Sequence, residues 1–155
     1  LTQKELLYFY GVRRTTAATP ITQDPFVIDF DGKADAYGSG ILWNDTLKRI
    51  EVNRGGLFSG TVWYNVVDNN TGQTTTNNGW RAKGEYQDGS GNVFSAGNTY
   101  QWPLSDDHES LQARPFMFKA TKSFYIYLDV VGMDGNGLED VNFILEEKPE
   151  IIYIP

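Results

Sequence analysis

Cysteine is absent from the 155 residues, and histidine occurs once, as His108. Without cysteine there is no disulfide framework, no thiolate zinc site and no cysteine nucleophile. A single histidine excludes a multi-histidine metal centre and leaves one candidate for histidine-dependent catalysis. Positive charge is also scarce: 13 Lys and Arg stand against 20 Asp and Glu, for a net charge of −7. Nucleic acid is therefore not expected as a partner of this domain. No run approaches the roughly 18 apolar residues of a membrane span, and no charged-then-apolar leader opens the chain. A start at Leu1 reads as a processed product, a polyprotein piece or a trimmed chain.

What is present is the composition of one globular domain, 40% hydrophobic and 14% aromatic. A chain of this length buries enough surface to fold unaided. Alternation of period two dominates. Phe26, Ile28 and Phe30 share one face; Phe58, Val62, Tyr64 and Val66 share another, with Leu57, Trp63 and Val67 opposite. Phe124, Ile126, Leu128 and Val130 alternate with Tyr125, Tyr127 and Asp129, and Val141, Phe143 and Leu145 with Asn142 and Glu146. Each run is a half-buried strand. Turn signals such as Asp31-Gly32, Gly55-Gly56, Asn77-Asn78-Gly79 and Asp134-Gly135 separate them. The expected fold is all-β, an antiparallel jelly-roll β-sandwich over residues 25–155, preceded by an N-terminal arm over 1–24. Helix is scarce: Thr2-Gln3-Lys4-Glu5 before Leu6-Leu7 is the best capping box, while Tyr8-Phe9-Tyr10 suits a strand equally well, so the segment reads as a helix start or as an arm that pairs elsewhere.

Candidate chemistry is sparse. Asp106-Asp107-His108-Glu109 is the densest titratable cluster, but adjacent loop residues diverge and no nucleophile elbow accompanies them. Glu146-Glu147 and Asp29-Asp31 specify no partner across a cleft. No catalytic residue and no cofactor are expected. Asp134, Asn136 and Asp140 place oxygen donors as a calcium loop does, although Leu138 breaks the twelve-residue pattern. Trp80 and Trp102, with Asn78 and Arg81, form a candidate sugar platform, Trp80 being read as exposed beside a polar loop. Trp63, Tyr125 and Tyr127 are the candidate assembly contacts, because their strands are apolar on both faces and a sandwich core covers only one. Asn44-Asp45-Thr46 and Asn69-Asn70-Thr71 match the N-glycosylation pattern, which matters only in a secreted protein.

One stretch goes further. Ile41-Leu42-Trp43-Asn44-Asp45, Leu47 to Val52, Gly55-Gly56-Leu57-Phe58 and Thr61 to Val66 together resemble the head domains of the tumour-necrosis-factor and complement globular-head superfamily. Phe116 to Leu128 is similar to that family's penultimate hairpin, and a last strand within Val141–Ile154 also fits. The sequence departs at Ala120-Thr121-Lys122-Ser123, which lacks the family's turn glycine, and at Pro149 in the last strand. The same grammar occurs in viral capsid and spike jelly rolls, which the Thr/Asn/Gly-rich, cysteine-free composition resembles more.

The resemblance implies homo-oligomers, as trimers or icosahedral shells. The leading expectation is a non-enzymatic virion protein, a capsid subunit or spike head that assembles and attaches to a host receptor or glycan. Loops 68–79, 86–92 and 104–110 would then carry recognition. A carbohydrate-binding module or lectin is the alternative, and a secreted trimeric signalling ligand a further one.

Overall fold

The fold is seen in a computed structural model, described over residues 5–13, 26–31, 35–67, 79–90, 100–101, 110–131 and 137–150. The alternating runs become strands in chain order: β1 (Tyr8–Arg13), β2 (Phe26–Val27), β3 (Asp35–Tyr37), β4 (Ile41–Asn44), β5 (Arg49–Val52), β6 (Gly56–Val67), β7 (Gly79–Tyr86), β8 (Tyr100–Gln101), β9 (Ser110–Ala120), β10 (Phe124–Val131) and β11 (Gly137–Lys148). No helix occurs among the described residues. The strands form two antiparallel sheets, ordered β3-β1-β11-β6-β9 and β4-β5-β10-β7-β8, with β2 also pairing β10. This is the expected all-β sandwich.

Inward positions of both sheets build one aromatic core. Phe143, Phe116 and Phe118 stack in sequence at 6.1 and 6.0 Å between ring centroids. Phe58 stacks on Phe118 at 5.7 Å and meets Phe124 of the other sheet edge-on at 5.0 Å. Such pairs contribute about 0.5–1.5 kcal/mol each beyond the burial of their area. Gly60 lies directly across from Phe116. Its missing side chain is a packing requirement, since a Cβ there would stand 2.3 Å from the Phe116 ring.

Two expectations need correction. Residues 116–128 are not a hairpin. β9 pairs β6 in one sheet, whereas β10 pairs β5, β7 and β2 in the other, so Thr121–Ser123 is a corner between sheets. Alternation fixes which side chains turn inward but carries no information on which strand is the neighbour. The corner is held by backbone proximity, because a Cβ on Gly55 would lie 2.5 Å from the Ala120 carbonyl oxygen. Ser123 Oγ also donates to the Asn53 carbonyl at 2.6 Å. The residues set apart as an arm include β1, which sits inside the five-stranded sheet between β3 and β11. Its aromatic run supplies Phe9 to the core. Thr2 to Lys4 and residues 14–24 lie outside the described residues. The last strand stops at Lys148, immediately before Pro149, whose ring nitrogen has no hydrogen to continue the ladder.

Candidate functional site

The two outer faces of the sandwich differ in chemistry. On the five-stranded sheet the register lines outward residues into rows that cross the strands. One runs Val12, Asn142, Trp63; the next runs Asp35, Tyr10, Ile144, Thr61, Pro115. A third runs Tyr37, Tyr8, Glu146, Ser59, Met117, and a fourth Lys148, Leu57, Lys119. At strand spacing this field spans roughly 20 Å each way. Tyr10 and Trp63 stack at 6.3 Å with their planes 22° apart, bridging over β11. Tyr10 Oη donates to Asn142 Oδ1 at 2.8 Å, which fixes the phenol against the strand between them. Burial, then the charge of Glu146, pushes the Tyr8 phenol above its ordinary range. Met117 and Tyr37 are the most exposed large apolar side chains described, at 64% and 63%. Rigid aromatics fixed by a hydrogen bond, with exposed apolar neighbours, are what a subunit or partner interface presents.

The outer face of the six-stranded sheet is charged and internally paired. The Arg49 guanidinium lies 3.8 Å from the Tyr125 ring centroid and its Nε donates to Glu51 Oε1 at 3.0 Å. Arg81 grips Asp129 with two parallel bonds, Nε to Oδ1 at 2.7 Å and Nη2 to Oδ2 at 3.0 Å. Asp129 is buried on this outward position because the arginine lies opposite it in register. Burial, then the adjacent Asp129, raises the Tyr127 phenol above its ordinary range. Burial and then Glu85 do the same for Tyr125.

The predicted assembly residues therefore do not come together. Trp63 lies on the aromatic face, while Tyr125 and Tyr127 lie on the opposite, charged face. The sugar platform fails at its main residue: Trp80 is 1% exposed and packs 6.0 Å from Phe116 in the core. Arg81 is engaged with Asp129, and Asn78 and Trp102 lie outside the described residues. Of the calcium candidates, Asp140 is in β11, while Asp134 and Asn136 lie outside the described residues, as do Asp106 to Glu109. Among the described residues no three His, Cys, Asp or Glu side chains converge as a metal site would need. Asn44 of the first glycosylation pattern is half-buried: its Oδ1 accepts from the Thr46 and Leu47 amides and its Nδ2 donates to Glu51.

Strand ends flanking residues 68–78, 102–109 and 132–136 meet at one end of the sandwich, through the pairs Val67–Gly137, Val66–Ser110 and Val131–Gly79. The 86–90 turn lies at the other end, where the Gln87 amide donates to Ser123. Sequence reasoning missed Tyr10, which pairs with Trp63 only once β1 is placed beside β11. The alternation of Tyr8 and Tyr10 about Phe9 was the available signal.

No family profile matches the chain, and no curated protein matches it in sequence. Solved structures do. The chain is similar to murine APRIL, with a TM-score of 0.59 at 10% identity over 94% of this chain and 100% of that one. It is also similar to the Eiger TNF of S. frugiperda, with a TM-score of 0.55 at 11% identity over 96% and 95%. At that identity the likeness establishes the fold, a jelly roll of the tumour-necrosis-factor type. Neither likeness supports the capsid, virion or spike expectation.

Proposed function

We propose that the chain is a head domain that forms a homotrimer through the outer face of its five-stranded sheet. It acts without catalysis, by binding a partner protein outside the cell, as a signalling ligand of the tumour-necrosis-factor type does. The observation that carries the reading is the contrast between faces. One presents a stacked Tyr10–Trp63 pair amid Tyr8, Ile144, Pro115 and Met117, and the other satisfies its charges internally. A single sandwich core covers only the inner faces, so the aromatic face is left for another copy. The resemblance of fold supports three copies as the number. The charged face and the loop-bearing end remain for the partner.

The test is mass in solution by light scattering. A trimer weighs three times 17.5 kDa, about 52 kDa. A monomer persisting at tens of micromolar would overturn the reading. The virion-head alternative uses the same assembly and is favoured only by the Asn/Thr/Gly-rich, cysteine-free composition.

A further inference from the structure

At the end of the sandwich opposite the loop-flanking strand ends, a groove of about 690 Å³ crosses the start of β6. Leu6 and Leu57 give it an apolar lining, and Thr121 of the corner between sheets stands at its far side. Pro149 and Glu150 line it as the chain leaves β11.

The charges around the groove are already matched. Glu147, the buried charge among the lining residues, is held by Arg54 at 2.6 and 3.1 Å. Lys148 Nζ lies 3.2 Å from Glu146 Oε2, and Lys119 Nζ 3.7 Å from Glu150 Oε1. What lacks a partner is the apolar lining, with Leu6 left 39% exposed. An apolar occupant therefore fits better than an ion. The chain supplies one at the right place. The residues after Glu150 are Ile151, Ile152, Tyr153 and Ile154, all large and apolar, and they lie outside the described residues. The Glu150–Lys119 pair reaches from the end of β11 to β9, over the β6 start that lies between them. Two strand spacings, about 10 Å, separate β11 from β9, and four extended residues reach about 13 Å.

We propose that residues 151–154 lie across this groove as a strap within their own chain, with isoleucine side chains set on Leu6 and Leu57. The strap ties the segment before β1 to the corner between the sheets. It also covers the outward row of Lys148, Leu57 and Lys119 from within the chain, so the face left for another copy stops one row earlier. It does not depend on the oligomeric head proposed above.

The experiment is amide hydrogen exchange of the full chain, read by NMR at Ile152, Tyr153 and Ile154, with circular dichroism confirming that each variant folds. In the native chain exchange is expected to be slowed at least about tenfold relative to an unstructured peptide, and equally at low and high protein concentration. Leu6→Asp alters the lining and Ile152→Asp the strap, and each is expected to return Tyr153 and Ile154 to the unstructured rate. The position is read separately by pairing Thr121→Cys with Ile154→Cys, since the chain has no other cysteine. A disulfide within one chain is expected, and Leu6→Asp should slow its formation about tenfold. Ile154→Cys paired with Leu42→Cys, on the outer face of the other sheet, should stay reduced. Exchange at the unstructured rate in the native chain overturns the strap. Protection that survives Leu6→Asp places these residues elsewhere and also overturns it. Protection lost on dilution, with disulfides between chains, puts them on a neighbouring copy, so the strap fails while the trimer stands. A monomeric chain with protected Ile152 to Ile154 upholds the strap and overturns the trimer alone.

Discussion

Replacing Gly60 with alanine places one methyl group where the structure has no room. The new carbon would stand 2.3, 2.7 and 2.9 Å from three atoms of the Phe116 ring. Carbon atoms at rest sit about 3.5–4.0 Å apart, so the ring must move by more than about 1 Å. It has nowhere to go, being packed by Trp80 and Phe118 at 6.0 Å and by Phe143 at 6.1 Å. Overpacking of this kind costs about 1–3 kcal/mol. The gain in backbone entropy from Gly to Ala offsets about 0.5–1 kcal/mol of that. A net loss of about 1–2 kcal/mol would lower Tm by about 2–8 °C in a domain of this size. Thermal and urea unfolding, at one protein concentration because assembly raises Tm, would measure it. In a Phe116→Leu background the ring is gone and the cost of Gly60→Ala should fall by at least about 1 kcal/mol. A neutral or stabilising Gly60→Ala would refute the account of the core.

Other expectations follow from single sites. Arg54→Met leaves the buried Glu147 carboxylate without the guanidinium that now holds it at 2.6 and 3.1 Å. The arginine is about a third exposed, so a loss of about 2 kcal/mol is expected at pH 7, below the range for fully buried pairs. Asp88 is held down to about 2 by the Lys122 ammonium, then by Ser90. Its contribution to stability is present above the unfolded value near 3.8 and is lost as pH falls through about 2. An NMR titration of Asp88 should show the low midpoint, and Lys122→Met should return it towards 3.8. Trp80→Ala should destabilise the fold by about 3–5 kcal/mol, as loss of a core indole does. A variant of unchanged stability that loses glycan binding would restore the platform reading.

The architecture was legible because alternation is a local property. Phe124, Ile126 and Leu128 turn inward as their spacing required, and so do Val141, Phe143 and Leu145. Trp80 was misread because the polar residues before it and Arg81 after it masked its parity. In β7, Trp80, Ala82 and Gly84 are the inner side and Arg81, Lys83 and Glu85 the outer, an alternation weakened by two small residues. What depends on strand order was not legible. Trp63 faces outward to Tyr10 only because β11 lies between β6 and β1. Tyr125 and Tyr127 are on the far side of the sandwich only because the 121–123 corner changes sheets. The burial of Asp129 follows from its register with Arg81, 48 residues away.

The most direct test of the assembly face is a matched pair of charge insertions followed by sedimentation equilibrium. Trp63→Glu places a carboxylate in the aromatic face and Tyr125→Glu places one on the charged face, both at half-buried outward positions. The account predicts that Trp63→Glu yields a folded 17.5 kDa monomer while Tyr125→Glu remains near the mass of three chains. A trimer that survives Trp63→Glu and dissociates with Tyr125→Glu would put the interface on the other sheet.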